Sequence, residues 1–324
     1  MADETSAPDV SVVIPCYNAE RWVSRAIDSV LAQEGVTVEV IVIDDGSTDG
    51  SLDLLKRYED RINWETGPNL GACAARNRGL ALARADYVIF LDADDLIEGP
   101  FLRSAIDRMR ARRSDIAFGR IETENRGRRK PFSLDADENA ESVMYAFLTQ
   151  GFIPPCGTVW ATDFIKQIGG WKEGLRRHQD YELAFRTLRC SPKISFFSDG
   201  HGVYFQHNSN DRISAKTDLE TVRDQAATIR FVKACLDTTS ISEAEKSKLM
   251  QRRSYKLWRE TCRSMNQRCR YEAYRLYREL GGVGHFGSGP HRLAANLIGL
   301  RSKESISIFL SKARRRIRRM NGWG

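Results

Sequence analysis

The chain has 324 residues, a globular composition and a formal net charge of +7. That length can bury a full core in one large domain or in two, and no apolar run is long enough to cross a bilayer as a helix. Seven cysteines, an odd number without CxxC spacing, argue for a reducing compartment and against a disulfide framework or structural zinc. The opening Met1-Ala2-Asp3-Glu4-Thr5 lacks the basic and apolar regions of a signal peptide. The expected location is the cytoplasm or the inner face of the cell membrane. Charge is unevenly spread: residues 251–324 hold 18 Lys/Arg against 4 Asp/Glu, whereas residues 1–250 hold 32 against 39. A basic tail on an acidic body is not the footprint of a nucleic-acid-binding fold.

In chain order, Val10 to Ile14 predicts a buried strand that stops at Pro15, since proline interrupts pairing. A helix is expected from about Ala19-Glu20 to Leu31, with Trp22, Val23, Ala26, Ile27, Val30 and Leu31 on one face. Val38 to Ile43 predicts a second buried strand, ending in Asp44-Asp45-Gly46-Ser47-Thr48-Asp49. Ser47, Thr48 and Asp49 are N-cap candidates for the helix through Leu52, Leu54 and Leu55. After a turn at Gly67-Pro68-Asn69, the segment Gly71 to Ala81 predicts a helix of small residues able to lie close on a sheet. Tyr87-Val88-Ile89-Phe90-Leu91 is a third buried strand, and it runs straight into Asp92-Ala93-Asp94-Asp95. Carboxylates crowded at the end of a buried strand either hold a divalent cation against a phosphate or cap the helix expected near Glu98-Gly99-Pro100. Strand-helix alternation of this kind predicts an α/β fold with a mostly parallel sheet and right-handed crossovers.

Residues 122–139, polar and interrupted by Pro131, read as a long loop. Beyond it come a strand at Thr158-Val159-Trp160, a turn at Gly169-Gly170-Trp171 and a helix from Asp180 to Leu188. Short strands follow at Ile194 to Phe197 and Gly202 to Gln206. The pattern then turns helical from Asp218 to Leu280, breaks at Gly281-Gly282-Val283-Gly284, and ends in a helix from about Ser305 to Met320. The expected organisation is a flexible N-terminus at 1–9, an α/β domain at 10–217 and a helical basic extension at 218–324 that ends in an amphipathic helix.

Several of these pieces stand in one order: Ser11-Val12-Val13-Ile14-Pro15-Cys16-Tyr17-Asn18, Val42-Ile43-Asp44-Asp45-Gly46-Ser47-Thr48-Asp49, Asn69-Leu70-Gly71 with Ala75-Arg76-Asn77 and Gly79, Leu91-Asp92-Ala93-Asp94-Asp95, then Gly169-Gly170-Trp171 and Gln179-Asp180. Over about residues 10–215 the set resembles the family 2 glycosyltransferases of GT-A fold. That resemblance implies inverting transfer of a sugar from a nucleotide diphosphate donor (a UDP-, GDP- or dTDP-sugar) to a glycan or lipid-linked acceptor, in cell-surface polysaccharide synthesis. It implies that Pro15 and Tyr17 line the nucleoside pocket and that Asp45 reads the base, leaving the turn to Asp44. It further implies that Arg76 faces the nucleotide, that Asp92 faces the ribose or the metal's waters, and that Asp94 ligates Mn²⁺ or Mg²⁺. Asp95 is then a helix cap. Asp180 matches the catalytic base, and Gln179 stands where the commoner Glu would be. His207 matches a histidine near the metal or diphosphate, and Arg212 and Ser214 lie in a loop able to close over the donor.

Each residue also has a plainer reading. Pro15 and Tyr17 can serve as strand termination and packing, Arg76 as a solvated helix residue, and Asp180 as a carboxylate favoured by the helix dipole. His178, His201, His285 and His291 carry no partner pattern, and Cys16 and Cys73 lack a nucleophile's companions. In the tail, Ile306, Phe309, Leu310, Ala313, Ile317 and Met320 recur at helical spacing among arginines, with Trp323 beyond. Such a helix fits a membrane surface, its own acidic body, or RNA. A sugar nucleotidyltransferase is the alternative enzyme, but its glycine-rich phosphate loop is absent from Pro15-Cys16-Tyr17-Asn18-Ala19-Glu20. A basic-tailed nucleic-acid-binding protein is the alternative without catalysis.

Overall fold

The computed structural model describes residues 7–58, 60–206, 218–262 and 266–282. It divides into two compact units, Met1–Ser209 and Asn210–Gly324. The first unit is built on a seven-stranded sheet. Its parallel half comprises β1 (Val10–Cys16), β2 (Val38–Asp44), β3 (Asn63–Thr66) and β4 (Tyr87–Phe90), in the order β4-β1-β2-β3. These strands are joined by α1 (Val23–Leu31), α2 (Ser51–Lys56) and α3 (Ala72–Leu82). Val10, Val12, Val13 and Ile14 in β1 and Val42 and Ile43 in β2 are completely buried, as strands covered on both faces require. Past β4 the sheet continues through β9 (Thr158–Ala161), antiparallel to both its neighbours, then β6 (Ile116–Phe118) and β10 (Ile194–Phe196). The expected mostly parallel α/β architecture is therefore the observed one.

Helix α3 lies close on β1 because its inward face is made of small residues. A Cβ on Gly79 would stand 2.3 Å from Val13 Cγ1. This close approach carries Arg76, one turn earlier, to the sheet's C-terminal edge.

Four local expectations change. Strand β1 runs through Pro15, which pairs in register with Ile43. Pairing with β4 reaches only Val13, whose carbonyl accepts Leu91 N at 2.9 Å. Two residues further, the same edge of β1 has no strand beside it, so the missing proline N–H costs no ladder bond. Helix α1 begins at Val23 instead of Ala19, after a turn in which Trp22 N and Val23 N both donate to Ala19 O. Helix α2 has Gly50 at its N-cap position, and Asp49 serves it from one residue earlier by accepting Ser51 N at 3.0 Å. The expected loop at 122–139 contains a hairpin, β7 (Ile121–Asn125) and β8 (Arg128–Phe132). Its turn residues Arg126 and Gly127 both have positive φ, the hairpin geometry usually announced by Asn-Gly. Pro131 is tolerated because β8 is an edge strand of the second sheet, ordered β5-β11-β7-β8. The other two members of that sheet are β5 (Leu96–Glu98) and β11 (His201–Phe205).

The helical stretch after Asp218 resolves into α8 (Leu219–Leu236), α9 (Glu243–Thr261) and α10 (Gln267–Glu279). Asp218, Ser242 and Asn266 cap them, each accepting backbone N–H bonds. Trp258 and Tyr277 stack at 6.0 Å in their shared core. The helix expected at 305–320, with Trp323, lies outside the described residues, as do His207, Arg212, Ser214, His285 and His291.

The α3–β1 contact makes a prediction. Gly79→Ala should destabilise the protein by about 1–3 kcal/mol, the usual cost of overpacking, although alanine is the better helix former. Denaturant unfolding of the two forms measures the difference.

Candidate active site

The parallel strands β1, β2 and β4 end along one edge of the sheet, and chemistry-bearing residues follow each. Beyond the strand ends is where open α/β sheets bind ligands. After β1, Tyr17 is 51% exposed, and Asn18 turns the chain at φ 49°. Asn18 is tied to the next strand's loop from both sides: its N–H donates to Ser47 Oγ at 2.9 Å and its Oδ1 accepts Thr48 N at 2.8 Å. Asp44, wholly buried, accepts Thr66 Oγ1 at 2.7 Å and Ser47 N at 3.2 Å, so it holds the turn as expected. Asp45 is also buried, with its two oxygens accepting Leu70 N and Gly71 N at 2.8 Å each. It thus fixes the entrance to α3, where Gly71 has φ 94°. Each oxygen retains a lone pair for a further donor.

Asp92, Asp94 and Asp95 offer carboxylate oxygens that all lie within 4.8 Å of one another. Asp95 is 1% exposed and is no helix cap. The helix α4 (Phe101–Arg112) has Pro100 at its N-cap position and no side-chain cap. Asp95 instead accepts Phe205 N at 2.9 Å, fastening β11 to the acidic loop. Burial, reinforced by Asp94 and Asp92, holds its carboxyl well above the usual range.

Arg76 is the structural link. It is 4% exposed, which excludes the solvated-helix reading. Its guanidinium pairs with Asp92, donates to Gln179 Oε1 at 3.1 Å and sits 4.4 Å above the centroid of Trp171. Gln179 Nε2 donates in turn to Leu175 O at 2.6 Å. An amide can accept and donate at once, a pairing that an ionised Glu here could not make. Asp180 follows in the first turn of α7 (Gln179–Arg189), after His178 at φ 60°. It is half-buried, and among the described residues no donor bonds its carboxylate. Burial pushes it up to about 6; the Arg76 charge pulls it down and Asp92 pushes it up.

Trp171 is held by partners that are distant in sequence. Asn77 Oδ1 accepts Trp171 N at 2.8 Å, and Asn77 Nδ2 donates to Trp171 O at 2.9 Å. Arg186 donates to Ile168 O and Gly170 O at 2.5 and 2.6 Å. Phe90 meets the indole edge-on at 5.2 Å. The sequence displayed Asn77, Gly170 and Trp171 as a pattern, but not that Trp171 is the platform beneath Arg76. Burial pushes the Cys16 and Cys73 thiols up to about 12, so neither is a thiolate nucleophile at neutral pH. His201 lies in β11, in the second sheet, with Nε2 3.3 Å from Glu98 and 3.6 Å from Glu122.

Residues 11–159 match the family described as Glycosyl transferase family 2. Among relatives, glycosyltransferase GlyA of Streptococcus pneumoniae is 34% identical over 113 residues, 34% of this chain and 16% of that protein. Succinoglycan biosynthesis protein ExoO of Rhizobium meliloti is 30% identical over 223 residues, 64% of this chain and 63% of that protein. The chain therefore spans less than two thirds of the length of either relative. The crystal structure of S. aureus TarS 1-349 in complex with UDP-GlcNAc superposes with a TM-score of 0.67 at 21% identity, covering 84% of this chain and 80% of that one. The fold is GT-A, and residues 11–159, a little under half of the chain, form a family 2 glycosyltransferase domain.

Asp180 makes a stability prediction whose sign follows from its raised pKa. The protonated form favours the folded state, so that stability is fully present below the unfolded value near 4 and is lost as pH rises through about 6. Asp180→Asn should therefore gain about 2–3 kcal/mol over the parent at pH ~8, and the gain should vanish near pH ~4. Paired denaturant titrations at the two pH values measure it.

Proposed function

We propose that this protein is an inverting glycosyltransferase that moves a sugar from a nucleoside diphosphate to a hydroxyl of a glycan or lipid-linked acceptor during polysaccharide assembly. The observation that carries the reading is the chain Asp180–Arg76–Asp92. It sets a carboxyl with a pKa of about 6 beside an acidic cluster at the strand ends. Inverting transfer needs those two parts, a base for the acceptor hydroxyl and a site for the departing diphosphate. GlyA is named a glycosyltransferase, ExoO a succinoglycan biosynthesis protein, and TarS was crystallised with UDP-GlcNAc; each supports the same direction.

In this reading the exposed Tyr17 ring and Pro15 form the nucleoside wall, and Asp45 accepts from the base edge. The residues suit a hard divalent cation. The carboxylates of Asp92, Asp94 and Asp95 present only oxygen atoms, and the diphosphate would supply more. Asp94 would be the ligand, with Asp92 held aside by Arg76. Bound there, Mn²⁺ or Mg²⁺ supplies Lewis-acid stabilisation of the leaving diphosphate. Asp180 takes the proton of the acceptor hydroxyl as that oxygen attacks the anomeric carbon from the opposite face. Arg76 keeps Asp180 ionised at neutral pH by opposing the effect of burial and the repulsion from Asp92. The basic amphipathic helix expected at 305–320 would bring the enzyme to a membrane surface carrying the acceptor.

Calorimetric titration of UDP, GDP and dTDP, with and without Mn²⁺, tests the donor side. One nucleotide should bind in a metal-dependent way, and Asp94→Ala should lose it. A folded wild type that binds none of them with metal present would sink the proposal. On the acceptor side, kcat should fall about tenfold per pH unit below pH ~6, because protonated Asp180 cannot accept a proton. A rate that stays flat from pH ~7 down to ~5 would remove Asp180 as the base.

A further inference from the structure

Helix α7 carries Asp180 in its first turn and Arg186 further along. The Arg186 side chain is largely buried, and its planar fork meets four acceptors. Nε and Nη2 donate to the two oxygens of buried Glu182 at 3.0 and 2.9 Å, while Nη1 and Nη2 reach Ile168 O and Gly170 O. Ile168 caps α6 and Gly170 lies in the turn that follows, so neither carbonyl has a helical partner of its own. That turn is tight: Gly169 and Gly170 have φ of 86° and 60°, and a Cβ on Gly170 would stand 2.6 Å from Asn77 Oδ1. Asn77, the neighbour of Arg76 on α3, holds the Trp171 backbone. The turn is thus gripped from α3 by Asn77 and from α7 by Arg186.

These contacts form a closed circuit. Along α7 the chain leads from Asp180 to Arg186, and Arg186 holds the carbonyl that precedes Trp171. The Trp171 indole supports Arg76, and Arg76 returns to Gln179, beside Asp180. We infer that Arg186, oriented by Glu182, is a positioning residue for the base: it fixes the Trp171 platform relative to the helix that presents Asp180, and so sets where Arg76 stands against Asp180. Among the described residues, the Arg186 guanidinium bonds only Glu182, Ile168 and Gly170, so it acts through the turn. A lysine would keep the charge there but has no planar fork to span a carboxylate and two carbonyls. Small displacements of this kind matter, because a catalytic group must be held in its reactive geometry.

The inference rests on Asp180 being the base, but it is tested without turnover. Arg76 Nε is buried with no acceptor among the described residues, and its guanidinium lies over the indole face. Its N–H signal in a ¹H–¹⁵N spectrum of the full chain should therefore lie upfield of other arginines and exchange slowly with water. Arg76→Lys identifies that signal by its disappearance. Arg186→Met removes the grip from α7, so the signal should lose its upfield position and exchange at least about tenfold faster. The Gln179 side-chain amide, which accepts from Arg76, should move with it. Arg186→Lys, and Glu182→Gln with its fork less firmly oriented, should show the same changes to a smaller extent. Leu55→Ala is the control, since it lowers the stability of the same unit by emptying a buried position on α2. Should Arg186→Met not fold, Arg186→Lys and Glu182→Gln carry the test. An Arg76 signal that keeps its position and protection in the folded variants overturns the inference, as does an equal change in Leu55→Ala. UDP, GDP and dTDP are titrated with Mn²⁺ into the wild type. Nucleotide binding with an Arg76 signal indifferent to Arg186 defeats this inference alone, whereas a responsive Arg76 signal without nucleotide binding defeats the transferase reading alone.

Discussion

The first unit's site depends on where one buried positive charge is placed. Arg76 could not be kept at 4% exposure without compensation, because desolvating a guanidinium costs several kcal/mol unless its charge and its N–H groups are answered. Three different chemistries answer it here: the Asp92 carboxylate, the Gln179 amide and the Trp171 π face. Each answering group comes from a different part of the chain. Arg76 therefore joins the end of β4, the loop after α6 (Thr162–Gln167) and the start of α7 into one arrangement. Its charge then reaches Asp180, where it works against the burial that would otherwise leave the carboxyl protonated.

Gln179 shows why a neutral side chain suits this position. A carboxylate there would give Arg76 a second anion beside Asp92 and place a like charge next to Asp180. Both effects would change how the single guanidinium is shared. The amide keeps the geometric contact without the charge, and its other end closes onto Leu175 O. The departure from the commoner Glu is thereby accommodated by hydrogen bonding, leaving electrostatic control of Asp180 to Arg76 and Asp92.

Proximity of Asp residues in sequence proved a poor guide to their duties. Asp44, Asp45, Asp92, Asp94 and Asp95 form two clusters that look alike in one dimension. Asp44 and Asp45 are engaged by turn and helix-entry N–H groups, and Asp95 by a strand that arrives 110 residues later. Asp92 is claimed by Arg76. Tertiary partners, not spacing, divide these carboxylates between structural anchoring and the acidic face of the site.

What the sequence alone determined is local. Runs such as Val10 to Ile14, Val38 to Ile43 and Tyr87 to Phe90 are too apolar to be anything but buried strands. The small residues around Gly79 allow a close helix-sheet contact, and a helical pattern opens at Asp218, whereas its division at Ser242 and Asn266 emerged only in the fold. The ordered motifs were equally legible, because each is a short stretch with its own turn or strand-end chemistry. What only the tertiary structure decided is non-local. Pro15 stays in its strand because β4 has ended beside it, and the 122–139 segment forms a hairpin because β11 supplies a pairing edge for β7. Asp180 acquires its raised pKa from burial, opposed by Arg76 and reinforced by Asp92, both distant in sequence. A desolvation energy or a pairing edge belongs to no single segment; it exists only once distant parts of the chain have excluded water together.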